Sequence, residues 1–147
     1  MNSHDSRRDE AEIRALVDQF VNSIRAKDLH GVMAAFAPDV VSFDVSPPLQ
    51  HGGREPFRQR WQELFASYTS AIDYEVRDLS VTAREDLAFS HSLNRIAGTL
   101  QNGQQSERWL RWTTGYRKTQ GRWLIVHEQV SVPVDVKSGR AVLDLKP

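Results

Sequence analysis

The chain contains no cysteine among its 147 residues. That excludes disulfides, a thiolate nucleophile and cysteine-ligated zinc or iron–sulfur centres. It carries no excess of either charge, with 19 basic and 19 acidic side chains, so the basic footprint of a nucleic-acid binder or of a protein held on anionic lipid is missing. No uncharged apolar run approaches the roughly 18 residues needed to cross a bilayer. The first twenty residues, with Arg7, Arg8, Asp9, Glu10 and Glu12, lack the apolar centre of a signal peptide. The five histidines, at positions 4, 30, 51, 91 and 127, never occur as i, i+4 pairs or as H-x-H, which argues against a metal site. A glycine-flanked G-x-S-x-G serine and a phosphate-binding loop are likewise missing. The expectation is a cytoplasmic protein without metal or cofactor and without nucleic-acid or membrane partners.

What is present is an ordinary globular composition, 39% hydrophobic, 26% charged and 9% aromatic. It is compatible with one domain over residues 1–147 and one core; residues 1–8 are expected to be flexible. Ile13, Leu16, Val17, Phe20, Val21 and Ile24 follow the i, i+3, i+4, i+7 spacing of one helix face. Ser6, three residues before Asp9, suits its start. Asp28 suits the cap of a second short helix carrying Leu29, Val32, Met33 and Phe36 and ended by Pro38. Val40 to Val45 has strand composition and is closed by Pro47-Pro48. After Gly52-Gly53, a third helix carries Phe57, Trp61, Leu64 and Phe65, with Pro56 in its first turn. From Ile72 the apolar period becomes two, predicting strands at about 71–83, 87–98, 106–118 and 122–134. The order ααβαββββ predicts an α+β domain with helices on one face of an antiparallel sheet.

Turn chemistry supplies a trial register. Asn102-Gly103 favours a two-residue hairpin loop with Gln101 opposite Gln104, and Thr119-Gln120-Gly121 suits a three-residue loop with Lys118 opposite Arg122. Propagated along the strands, these registers collect Phe89, His91, Leu93, Arg95, Leu110, Trp112, Thr114, Tyr116, Leu124, Val126, Glu128 and Val130 on one mostly apolar face. That face is expected under the helices. A bulge in either hairpin would exchange the faces beyond it. The opposite face, with Ser90, Ser92, Asn94, Arg111, Thr113, His127 and Gln129, is expected to form a homodimer interface.

His91, Arg95 and Glu128 are then polar groups in an apolar layer, and each needs a partner or a wet cavity. One reading is a closed network in which Glu128 pairs with Arg95 and His91 bonds Thr114. The other is a small-molecule pocket among Phe20, Trp61, Trp112 and Tyr116. His127 and Glu128 are adjacent in a strand and point to opposite faces, so they make no direct dyad.

The phrase Ala35-Phe36-Ala37-Pro38-Asp39 leading to a strand that ends in Asp44, with the run Gly121 to Glu128 near the C-terminus, resembles the nuclear transport factor 2-like superfamily, which includes ketosteroid isomerase and SnoaL-type cyclases. The resemblance covers nearly the whole chain. It implies a cone-shaped α+β fold with three N-terminal helices packed on a curved antiparallel sheet enclosing a pocket, and usually a homodimer. Asp44 then falls where the isomerase holds its general base, while Phe20 and Thr114 stand at its two oxyanion-donor positions and Trp61 at an aromatic pocket position. Phenylalanine cannot donate a hydrogen bond, so an isomerase mechanism copied unchanged is not expected. The function implied is binding or acid–base turnover of a small hydrophobic carbonyl compound. Its candidate catalytic residues are Asp44, His91 and Glu128, and its candidate ligand contacts are Phe20, Trp61, Arg95, Trp112, Thr114 and Tyr116. The alternative is a non-catalytic binding or assembly module.

Overall fold

The computed structural model describes the backbone of residues 3–147 and the side chains of residues 5–147; residues 1 and 2 of the lead-in expected to be flexible lie outside the described residues. One long helix, α1 (Ser3–Arg25), begins before Ser6 and buries Ile13, Val17, Phe20, Val21 and Ile24 on the face that the spacing predicts. α2 (Leu29–Met33) is a single short turn, capped by Asp28, whose side chain accepts from the Gly31 N–H. The third helix, α3 (Arg54–Ala66), follows two strands, β1 (Phe36–Phe43) and β2 (His51–Gly52). Three successive N-terminal helices are therefore not what the chain forms. One long N-terminal helix and a later α3 cover the sheet.

Phe36 and Pro38 belong to β1, not to α2. β1 runs parallel to β6 (Arg122–Ser131), and its pairing breaks between Phe36 and Val41. Pro38 sits in that gap, where a residue without an N–H removes no ladder bond. The remaining strands, β3 (Asp73–Arg84), β4 (Leu87–Thr99) and β5 (Gln105–Thr119), pair antiparallel. The sheet order is β2-β1-β6-β5-β4-β3. It is mixed, with one parallel pair at β1–β6. A small hairpin, β7 (Val134–Asp135) and β8 (Arg140–Ala141), closes the chain.

The two hairpin loops have exchanged their expected lengths. Between β4 and β5, Leu100 N–H donates to Gln104 O at 2.9 Å and Gly103 takes φ +83°, which makes Gln101-Asn102-Gly103 a three-residue loop. Its position is held from outside the hairpin, because Gln101 bonds the C-terminal end of α3 through its backbone N–H to Ser67 O and its side-chain amide to Ala66 O. Between β5 and β6, Gln120 (φ 52°) and Gly121 (φ 76°) form a two-residue loop with Thr119 opposite Arg122.

Each one-residue shift exchanges the faces of a strand. On β4 the inward side chains are Ser90, Ser92, Asn94 and Ile96. Phe89, His91, Leu93 and Arg95 face outward, which corrects the expected core. On β6, Trp123 and Ile125 point inward in place of Leu124 and Val126, and a bulge at Val126 then returns Glu128 to the inner face. β5 keeps all of its predicted inner residues, Leu110, Trp112, Thr114 and Tyr116. Among the described residues, no helix is long and apolar enough to cross a membrane.

Candidate active site

A cavity of about 320 Å³ opens between the sheet and the helices. Tyr74 of β3, Asn94 and Ile96 of β4, and Leu110 and Trp112 of β5 line it from the sheet; Phe20 of α1 and Phe57, Trp61 and Leu64 of α3 line it from the helices. Phe20 stacks on Trp112 at 5.5 Å and meets Trp61 edge-on at 5.6 Å, so the aromatic wall is packed as one unit. The partly exposed Val45 and Leu143 also border the space.

Two carboxyl groups reach this apolar cavity. Glu128 is 3% exposed. The parallel register sets Ser42 beside it, and the Ser42 hydroxyl donates to Oε1 at 3.4 Å while the Trp112 indole N–H donates to Oε2 at 2.7 Å. Burial is the main influence on its proton, pushing the pKa from 4.5 up to about 7. The Trp112 hydrogen bond opposes that rise, the charge of Asp44 adds to it, and the Ser42 hydrogen bond again opposes it. Asp44 lies just beyond the end of β1. Its Oδ2 accepts from Arg60 Nε at 2.9 Å and its Oδ1 from the Val45 N–H at 2.7 Å, while the same guanidinium reaches the Ser46 hydroxyl at 3.0 Å.

The sheet side of the cavity also holds a donor that neither composition nor resemblance singled out. Ser92 Oγ donates to Asn94 Oδ1 at 2.7 Å, and Asn94 Nδ2 donates to the Tyr74 hydroxyl oxygen at 2.8 Å. The Tyr74 oxygen is thereby used as an acceptor, which leaves its own proton to give to a ligand in the cavity. Burial raises its pKa above the usual value of 10.0, so it stays a donor at neutral pH. The signal in the sequence was the alternation Ile72, Tyr74, Val76, which marks an inward tyrosine. The chain of serine and asparagine behind it became visible only once β4 was turned over.

The sequence-predicted residues divide cleanly. Asp44, Glu128, Phe20, Trp61 and Trp112 line the cavity. Thr114 and Tyr116 lie deeper in the core, with the Tyr116 hydroxyl 2.8 Å from Ser90 Oγ, and are not among its lining residues. His91 is exposed on the outer face. Arg95 shares that face, where it pairs with Asp73 at 2.6 Å and Glu107 at 3.2 Å. The predicted closed network of Glu128 with Arg95 and His91 with Thr114 therefore does not exist, because the partners of each pair occupy opposite faces of the sheet. Arg111, Thr113, His127 and Gln129 remain on the outer face as predicted, and His127 Nδ1 lies 2.7 Å from Val41 O across the β1–β6 pair.

With this geometry in view, the relatives are informative. An NTF2-like protein of unknown function from Pseudomonas putida KT2440 is 34% identical, with a TM-score of 0.88 over 97% of this chain and 99% of that one. A ketosteroid isomerase-like protein from Erwinia carotovora atroseptica is 20% identical with a TM-score of 0.71 over 83% and 94% of the two chains. An NTF2-like superfamily protein from Salmonella enterica is 16% identical with a TM-score of 0.77 over 90% and 96%. The last two show the fold alone. No curated protein matches the sequence. The model of the SnoaL-like domain matches residues 13–135, a span that includes Phe20, Asp44, Trp61, Tyr74 and Glu128, and the chain therefore belongs to the SnoaL-like family of the NTF2-like superfamily.

Proposed function

We propose that the protein is an acid–base enzyme that moves a proton on a small hydrophobic carbonyl compound, with Glu128 as the base. The observation that carries this reading is a carboxyl group 3% exposed in an apolar cavity with its pKa raised to about 7. A group so poised is ionised and protonated in comparable amounts at neutral pH, as a general base that must also return its proton requires. Ionised Glu128 takes a proton from the carbon beside the carbonyl, and the electron pair moves onto oxygen. The Tyr74 hydroxyl, held by Asn94, donates to that oxygen. Protonated Glu128 then returns the proton to another carbon, which isomerises the substrate, or to a departing hydroxyl, which dehydrates it. Attack of the enolate carbon on a second carbonyl would give an aldol-type cyclisation. Asp44, held by Arg60 at 2.9 Å, acts on Glu128 through its charge.

A deuterium-exchange assay tests the first step. With 2-tetralone as probe in D2O, α-hydrogen exchange followed by NMR is expected to exceed the buffer rate and to rise with pH through about 7. It should fall roughly a hundredfold or more in Glu128→Gln. Exchange unaffected by Glu128→Gln would end the assignment.

The second reading, a non-catalytic binding module, is supported by the engagement of Asp44, the residue at the isomerase base position, in its ion pair with Arg60. Binding without exchange across a panel of ketones would favour it. In either case the unit in solution is proposed to be a homodimer formed through the outer sheet face at Arg111, Thr113, His127 and Gln129. Phe43, Leu87 and Phe89 stand exposed on that same face, an apolar surface of the kind subunit interfaces cover. Sedimentation velocity reads this directly, with a dimer expected for the wild type and a monomer for Thr113→Arg.

A further inference from the structure

Arg108 projects from the cavity-facing side of β5, opposite Ile96, and lines the cavity. Among the described residues its one hydrogen bond runs from Nη1 to the carbonyl oxygen of Glu107 at 3.0 Å. The neighbouring charges are already matched: Arg60 with Asp44, and the Glu107 carboxylate, on the other face of the strand, with both Arg95 and Lys146. Among the described residues Arg108 is the cavity's one cation with no carboxylate beside it. Arg108 is partly exposed, so its guanidinium, set beside an apolar wall and unmatched by a carboxylate, presents its charge to what enters the cavity and marks where a ligand's anion would sit. Arg108 also lies four residues along β5 from Trp112, whose indole holds Glu128. At about 3.3 Å per residue that is about 13 Å along the cavity floor.

We infer that Arg108 is an anion-binding residue, and that the substrate is a hydrophobic carbonyl compound carrying a carboxylate at the end remote from its reacting carbonyl. The inference rests on the reading of the cavity as a substrate site with Glu128 at its reactive end. A carboxylate is favoured over a phosphate because a single guanidinium fork matches its one charge and two oxygens, whereas a phosphate dianion would leave a second charge uncompensated. The apolar span from Leu110 to Trp112 covers the hydrocarbon between the two polar ends.

Calorimetric titration of the full chain with octanoate, octanamide and octyl phosphate tests this without requiring turnover. Octanoate is expected to bind at least tenfold more tightly than octanamide. Arg108→Met, which keeps the apolar stem, should abolish that preference while leaving octanamide affinity within about twofold. Arg108→Lys should retain most of it, and Glu128→Gln should leave it in place. Octanamide binding with no preference for octanoate, or a preference that survives Arg108→Met, overturns the inference while leaving the cavity a binding site. Loss of the preference in Glu128→Gln in place of Arg108→Met would put the anion at the wrong end and overturn it equally. Octyl phosphate binding tenfold more tightly than octanoate would overturn the choice of carboxylate. If none of the three binds, the cavity is no substrate site and both readings fall.

Discussion

Asp44 and Glu128 are carboxyl groups lining one cavity, yet their surroundings differ. Among the described residues Glu128 has two neutral donors, Trp112 and Ser42, and no cation partner, and burial lifts its pKa to about 7. Asp44 has Arg60 at 2.9 Å and a backbone N–H at 2.7 Å. Position at the end of the pocket strand, which is what resemblance transfers, nominated Asp44. Neighbours nominate Glu128, because whether a carboxyl can give and take a proton at neutral pH is decided by what solvates its charge.

The largest test of that contrast is the pair Glu128→Gln and Asp44→Asn. Glu128→Gln is expected to lower the tetralone exchange rate by a hundredfold or more, whereas Asp44→Asn should leave substantial exchange and act mainly on its pH dependence. Equal losses in the two variants would erase the distinction. Tyr74→Phe removes the proposed oxyanion donor and should also cost on the order of a hundredfold in rate.

Stability supplies the next test, with the sign set by burial. The folded state holds the Glu128 proton up to about pH 7, while the unfolded chain releases it near 4.5. The folded protein therefore binds more protons between those values, and the stabilising contribution is complete below about 4.5 and lost as pH rises through 7. The decline amounts to about 3 kcal/mol. Urea unfolding at pH 5 and pH 8 should show it in the wild type and show little of it in Glu128→Gln, which should be the more stable protein at pH 8.

Smaller effects separate the influences on the same group. Trp112→Phe removes a hydrogen bond to the ionised form and should move the exchange profile to higher pH. Asp44→Asn removes a repelling charge and should move it to lower pH. Shifts in one common direction would break the account. Smallest of all, His91→Gln on the exposed face should leave exchange within about twofold.

The two hairpin loops make a second contrast. Asn102-Gly103 carried the stronger two-residue signal, but the structure forms the longer loop there. Gln101 is anchored to the end of α3 through Ser67 and Ala66, and a contact with a helix end 35 residues earlier leaves no local trace. Gln120-Gly121 accepts positive φ at both positions, although glutamine gives little notice of it. His91 and Arg95 were lost from the candidate site, and Ser92 and Asn94 gained behind Tyr74, by the one-residue shift on β4. Glu128 survived because the bulge at Val126 cancelled the corresponding shift on β6.

Periodicity alone determined the buried face of α1, the existence of the four long strands and the inner residues of β5, because a helix stripe or an alternating strand is written in consecutive side chains. The cap at Asp28 and the aromatic wall from Phe20 to Trp61 were equally legible. Only the tertiary structure decided which face of β4 looks into the cavity, that Pro38 lies within a strand, and which carboxyl is buried between neutral donors. A strand's side chains have a period of two, so a register choice made at a distant loop inverts every residue beyond it. The pKa of a carboxyl likewise depends on groups such as Trp112 and Ser42, brought to Glu128 from 16 and 86 residues away.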